Sequence, residues 1–309
     1  MSGLLRIAAA QYPIDRLADW AAYVAKITDW VERAVADGAQ LLVFPEYGAM
    51  ELAALDGTGG ADLAASLDSV SALLPQVDAL HAALAARHGV HILAASAPCR
   101  VADASARHVN RARLFAPNGR HGHQDKQVMT RFENEAWGVS SGGPLRVFDT
   151  ALGRIGIAIC YDSEFPLIAR AMVQAGVQLI LVPSCTDTPH GYWRVRIGCQ
   201  SRALESQCYV IQSPTVGDAP WSPAVDVNRG AAGVFAPPDH GMPADGVIAL
   251  GVMDAAQWLY ADIDLAHIAT LRADGMVLNA RDWAAQPGAG DLPLVEVVDL
   301  RHNEGSQPG

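Results

Sequence analysis

Cys160 carries the strongest chemical signal in the sequence. The residues before it, Ile155-Gly-Ile-Ala-Ile159, are apolar or glycine, the pattern of a strand buried on both faces. That run stops at the thiol. Asp162, Ser163 and Pro166 then mark a turn, and residues 164–175 read as a helix closed by Gly176. A thiol at such a junction stands on the rim of a sheet, where N–H groups of the turn and the positive end of the helix converge. The expected environment favours thiolate and oxyanion alike, which suits nucleophilic attack on a carbonyl carbon.

Two other segments obey the same grammar, a buried strand ending on a polar residue. Leu41-Leu-Val-Phe-Pro-Glu46 places a carboxylate just past four apolar residues and a proline that pins the backbone. Partial desolvation there raises a carboxylate's pKa toward that of a useful base. Lys126 follows His121-Gly-His-Gln-Asp. Beside a thiol, its ammonium would favour thiolate and neutralise a developing oxyanion, with Glu133 or Glu135 holding it in register. Taken singly, each of these residues has a plain structural explanation; it is the combination that is specific. His121 and His123 have no third partner at metal-ligand spacing, so no metal site is expected.

The elements that must position these groups follow from periodicity. Leu4–Ala10, Gln40–Phe44, Val90–Ala95, Val177–Pro183 and Cys208–Gln212 read as strands. Residues 16–37 carry apolar positions at helical spacing, and Ala61–Leu67, Leu74–Arg87 and Tyr192–Gln207 also read as helices. Arg111–Phe115 turns at Pro117-Asn118-Gly119 into a return strand, and Leu145–Phe148 pairs with Arg154–Ile159 across another turn. Short strands at Ala232–Phe235, Val247–Val252 and Leu259–Ile263 alternate with Gly/Pro turns. The architecture expected is an α/β sandwich, two mixed sheets face to face with helices outside. It forms one domain over residues 1–301, with 302–309 as a loose tail.

Composition sets the outer bounds. Half of the 309 residues are hydrophobic, enough for a large core without staples. A net charge of −11 argues against nucleic acid. No apolar run is long enough for a membrane span, and the N-terminus reads as a first strand rather than a signal peptide. The cysteines, Cys99, Cys160, Cys185, Cys199 and Cys208, form no C-x-x-C pair, which fits a reducing cytoplasm. Cys185, Cys199 and Cys208 are read as core thiols.

From Ile7-Ala-Ala-Ala-Gln11 to about residue 265, the chain resembles the nitrilase, or carbon–nitrogen hydrolase, superfamily. The residues that carry the likeness are Phe44-Pro45-Glu46, Asp125-Lys126 and Cys160-Tyr-Asp-Ser-Glu-Phe-Pro166. Leu181-Val-Pro-Ser184 and Ser201-Arg-Ala-Leu-Glu-Ser-Gln207 add to it. The resemblance implies a four-layer α-β-β-α sandwich paired through helices into a homodimer or a larger homo-oligomer. It also implies a Glu46–Lys126–Cys160 triad, with Glu133 by spacing as the accessory glutamate and Glu135 as the runner-up. The implied reaction is amidase-type hydrolysis of a small carboxamide through a Cys160 thioester, with Tyr161 N–H helping to hold the oxyanion and with no cofactor. N-carbamoyl amino acid hydrolysis and nitrile hydrolysis use the same triad. Cys160-Tyr-Asp stands where nitrile-specific members more often have Cys-Trp-Glu, and Lys126-Gln-Val-Met replaces a common Lys-x-His-Leu. A catalytically idle binding relative is the reading from a different class. Thr186 and Asp187, with the segment to Trp193, are expected at the lip of the pocket. Trp137, Tyr192 and Trp193 are candidate walls or core aromatics, residues 217–223 a lid or rigid turn, and Arg202 with Glu205, three apart on a helix, a simple pair.

Overall fold

The computed structural model describes residues 3–55, 57, 59–101, 107–290 and 294–301; the tail expected over 302–309 lies outside them. The chain opens with β1 (Leu5–Pro13), α1 (Trp20–Ala36) and β2 (Leu41–Val43). α2 (Leu63–His88), β3 (His91–Arg100), β4 (His108–Phe115) and β5 (His121–Asp125) follow. Next come β6 (Val139–Ser140), β7 (Leu145–Thr150), β8 (Gly153–Ile157), α3 (Pro166–Gln174) and β9 (Leu179–Ser184). α4 (Pro189–Ser206), β10 (Tyr209–Asp218), β11 (Val227–Asn228), β12 (Gly233–Phe235), β13 (Val247–Leu250) and β14 (Gln257–Ile263) continue the chain. α5 (Leu265–Asp274), the single turn α6 (Asn279–Asp282) and β15 (Val295–Asp299) come last.

One sheet runs β14-β1-β2-β3-β4-β5 and the other β15-β7-β8-β9-β10-β12-β13. The period-2 alternation of β1 shows how they face each other. Leu5, Ile7 and Ala9 point into a core shared with Ile155, Ile157, Leu179 and Leu181 of the second sheet. Ala8, Ala10 and Tyr12 point the other way, onto Tyr23, Ile27, Trp30 and Val31 of α1. The sheets are joined rather than merely stacked: β1 and β10 pair in parallel at Tyr12/Thr215 and Pro13/Val216. Ser213 Oγ reinforces the seam, 2.7 Å from Ala10 O and 2.8 Å from Val43 O.

Helix ends follow local chemistry. Asp19 caps α1 by accepting from Ala22 N, and Gly89 closes α2 in a left-handed conformation. Where two helices were expected over 61–67 and 74–87, α2 runs unbroken through Pro75. A mid-helix proline costs roughly 3 kcal/mol. Burying Leu67, Val70, Leu74 and Val77 on the first sheet offsets this, at roughly 1.5–3 kcal/mol for each large side chain. α5 and β15 also went unread in the sequence. β15 adds to the edge of β7 in parallel through Val295-Glu-Val-Val-Asp299, whose two valine-bearing faces are both partly solvated. Among the described residues no helix is long and apolar enough to cross a membrane.

β2, β5, β8 and β9 all deliver their C-terminal ends to one rim of the sandwich, so Glu46, Lys126, Cys160 and Thr186 emerge side by side.

Candidate active site

Each charged group is set by a local backbone device. After β2, Pro45 and Glu46 lead to Tyr47, which adopts a positive φ of 55° and donates its N–H to Ser96 Oγ. The following turn, Gly48–Leu55, is anchored by Glu51, a fully buried carboxylate that accepts from Tyr12 Oη and pairs with Lys26. Burial pushes the Glu51 pKa up to about 7 against the pull of Lys26. Gly48 lets Tyr47 pass close to β3: a Cβ there would sit 2.9 Å from Ala95 Cβ.

Cys160 also has a positive φ, 49°, which costs a non-glycine residue roughly 1–2 kcal/mol. The bend ends β8 abruptly and aims the thiol out of the sheet. A tight turn, Cys160–Glu164, intervenes before α3 starts at Pro166. The helix thus starts two residues later than the 164 expected, and the thiol lies more than one turn before it. α4 lies directly against this turn, and Gly198 is required there because a Cβ would fall 2.9 Å from Ser163 O.

Lys126 stands just past β5, its N–H donating to Asn110 O on β4. Its ammonium is almost wholly buried and spends its three donors on two carboxylates. Nζ lies 2.8 Å from Glu46 Oε1, 2.9 Å from Glu133 Oε1 and 2.7 Å from Glu133 Oε2. Glu133 is carried by a π-helical turn, Phe132–Trp137, and is further gripped by Tyr47 Oη at 2.7 Å and by Thr130 N and Oγ1. The choice between Glu133 and Glu135 resolves on this turn, since residues two apart on a helix do not share a face. Glu135 points to solvent and pairs with Arg131 at 2.8 Å, so it is not a pocket residue.

Two further side chains, to which the sequence assigned no role in the site, complete the frame. Asn110 Nδ2 donates to Glu46 Oε1 at 2.9 Å, the oxygen that Lys126 also holds. Asp162, fully buried, accepts from Gln127 N, Val128 N and Ile159 N. It thereby ties the residues after Lys126 to the strand end that carries Cys160. Asp162 could have been suspected from its place two residues after the thiol; Asn110 sits inside a strand that reads as ordinary.

Burial drives the electrostatics. It raises the Glu46 carboxyl above its ordinary value, with Lys126 pulling against it and Glu133 adding to it. Burial opposes the charge on Lys126 too, but Glu133, Glu46 and Cys160 outweigh it and hold the ammonium well above the ordinary lysine value. The same burial opposes Glu133, yet Lys126 and the bonds from Thr130 and Tyr47 keep its carboxyl below the ordinary value. Burial and then the charge of Glu46 push the Cys160 thiol well up, against the pull of Lys126. Both causes favour the protonated thiol, against the pull toward thiolate expected from the local turn.

These residues open into a cavity of about 370 Å³, the size class of a small-molecule site. Tyr161, Trp137, Thr186 and Asp187 line it as expected. Trp137 packs on Tyr47 with ring centroids 4.8 Å apart, and Thr186 Oγ1 donates to Arg229 O at 2.7 Å. Tyr192 is buried away from the cavity, and Trp193 is exposed on α4, so neither is a wall. Cys185, read as a core thiol, is only partly buried: it packs against the core and also lines the cavity, its carbonyl 3.7 Å from Cys160 Sγ; Cys199 and Cys208 are buried. Of residues 217–223 only Pro223 reaches the cavity, followed by 224–227. Turn bonds from Ser222 N to Ala219 O and from Val225 N to Ser222 O fix that stretch. Arg202 and Glu205 pair at 2.8 Å. Among the described residues no group of acidic, histidine and cysteine side chains could hold a metal.

The sandwich, the seam between its sheets and the buried Glu–Lys–Glu cluster beside a cysteine define a class that sequence comparison also finds. The carbon–nitrogen hydrolase family profile matches residues 6–273, and the chain belongs to that family. A probable hydrolase, YhcX, of Bacillus subtilis is 31% identical over 278 residues, 90% of this chain and 53% of that protein. A deaminated glutathione amidase of Dictyostelium discoideum is 32% identical over 151 residues, 47% of each chain. The matched region thus spans about half the length of these relatives. A carbon–nitrogen hydrolase from Helicobacter pylori G27 shares the fold, with a TM-score of 0.74 at 18% identity over 91% of this chain and 95% of that one.

Proposed function

We propose that this chain hydrolyses the C–N bond of a small carboxamide through a thioester on Cys160, with residues 1–301 as the catalytic domain. The observation that carries the reading is the meeting of Glu46, Lys126 and Cys160 at the base of one cavity, from three strands far apart in sequence. The amidase names among its relatives point the same way.

In this mechanism Glu46 takes the thiol proton as sulfur attacks the carbonyl carbon. Lys126 and the Tyr161 N–H receive the oxyanion. Every donor of Lys126 is already engaged, so the oxyanion replaces one oxygen of Glu133, and the other keeps the ammonium in place. Glu46 then returns the proton to the departing nitrogen, leaving the thioester, and deprotonates the water that cleaves it. Asn110 and Lys126 share Glu46 Oε1, which leaves Oε2 for these proton transfers.

Intact-mass analysis during turnover of a panel of primary amides should show Cys160 heavier by one acyl group, with no adduct in Cys160→Ala. Ammonia release persisting in that variant would exclude the covalent route.

We also propose that the protein forms a homodimer through α3 and α4. Trp193, Ile197 and Leu204 make an exposed apolar stripe along α4, with Leu167 of α3 nearby in the chain's helical layer. Light scattering should give twice the chain mass, and Ile197→Asp with Leu204→Asp should reduce it to one. A monomeric wild-type protein would refute this.

A further inference from the structure

The charges around the cavity point beyond the reaction to the kind of acyl group it accepts. Five carboxylates line the cavity against three cations, a formal balance of −2. Each cation already faces a carboxylate. Lys126 lies between Glu46 and Glu133, Arg131 pairs with Glu135 at 2.8 Å, and Arg194 faces Glu164 at 3.4 Å. Both arginines are mostly solvent-exposed at the rim. Asp187 and Asp226, also at the rim, have no ion-pair partner among the described residues. The remaining lining includes the aromatic and aliphatic side chains Tyr47, Phe132, Trp137, Tyr161, Val195 and Val225, of which Phe132 is exposed.

We infer, on the basis of the amidase reading, that this site takes amides whose acyl group is uncharged and apolar, and rejects those carrying a carboxylate. A substrate carboxylate entering the cavity would leave water for apolar walls and meet no free cation there. Both costs act against it. It would also lie within reach of Glu164, Asp187 and Asp226, and like charges at close range in a partly desolvated cleft discriminate strongly against a wrong ligand. An apolar chain pays neither cost and buries its surface on the aromatic walls.

The inference is tested with two amides of matched shape, 5-methylhexanamide and glutaramate, in which an isopropyl group and a carboxylate occupy the same volume. The uncharged amide should show a kcat/KM at least tenfold higher. Replacing the acids (Glu164→Gln, Asp187→Asn and Asp226→Asn together) should narrow that ratio at least threefold, and so should raising the ionic strength, because Asp187 and Asp226 are exposed to screening. Glutaramate turned over as well as or better than its isostere would overturn the inference, as would a ratio that neither the variant nor salt moves. Binding of the same two amides to Cys160→Ala, measured by calorimetry, keeps the question separate from catalysis. If the wild-type protein hydrolyses neither amide, the amidase reading loses its support. Tighter binding of 5-methylhexanamide would still sustain the charge preference, whereas equal or tighter binding of glutaramate, or binding of neither, would end it.

Discussion

Lys126→Ala is expected to lose both turnover and fold stability, and the two losses should separate when a second residue is changed. Removing one oxyanion donor from a preorganised site lowers kcat by roughly 10²–10³. The ammonium also lies between two buried carboxylates, at 2.8 Å from Glu46 and 2.7 Å from Glu133. Deleting one partner of a buried ion pair costs about 3–5 kcal/mol, because the remaining charge is left without compensation. Glu133→Gln in the same chain removes one of the two stranded charges at nearly constant volume. The double variant should therefore regain much of the lost stability while remaining inactive. Denaturant unfolding and amide turnover, measured on both single variants and the double, give the coupling directly. A Lys126→Ala protein as stable as wild type would mean that the carboxylates are not charged around it. A fully active one would make the lysine a bystander.

Two of the three reactive residues were legible because each follows an apolar run: a carboxylate after Leu41–Phe44 and a thiol after Ile155–Ile159 break a pattern that burial otherwise explains. Lys126 is not marked in this way, because His121–Asp125 before it is polar, and Asp125-Lys126 stood out through the family likeness. The residues that hold them could not be found this way. Asn110 lies within β4, and its contact with Glu46 depends on β4 and β2 being brought to the same rim by β3 between them. Glu133 and Glu135 are equivalent in composition and differ only in which side of a π-helical turn they occupy. The electrostatics of Cys160 escape the local motif for a similar reason: the turn favours thiolate, whereas burial and a carboxylate 114 residues earlier in the chain push the thiol's pKa up. Patterning thus reports what each strand end carries. The electrostatics arise from residues that meet only in the folded sandwich.

Glu46→Gln should pull apart two properties of Cys160 that usually move together, its reactivity toward an alkylating agent and its ability to turn over an amide. The negative charge of Glu46 is one of the causes that raise the thiol's pKa, second only to burial. Neutralising it leaves Lys126 beside the sulfur with one carboxylate fewer to satisfy, so more thiolate forms at a given pH and iodoacetamide labels Cys160 faster. Hydrolysis moves the other way. Without a carboxylate nothing returns a proton to the departing nitrogen or takes one from the attacking water, and general acid–base assistance of this kind is worth roughly 10²–10⁴ in rate. The pH dependence follows with a definite sign. In the wild-type enzyme kcat/KM should rise with pH as Glu46 loses its proton, above the ordinary glutamate value because burial raises it. It should then level off, since Lys126 is held well above its ordinary value and stays charged. In Glu46→Gln that acid limb should vanish, and the residual rate should follow ionisation of the thiol alone. Labelling and turnover falling together in this variant would assign Glu46 to holding the cluster's shape and remove it from the proton transfers.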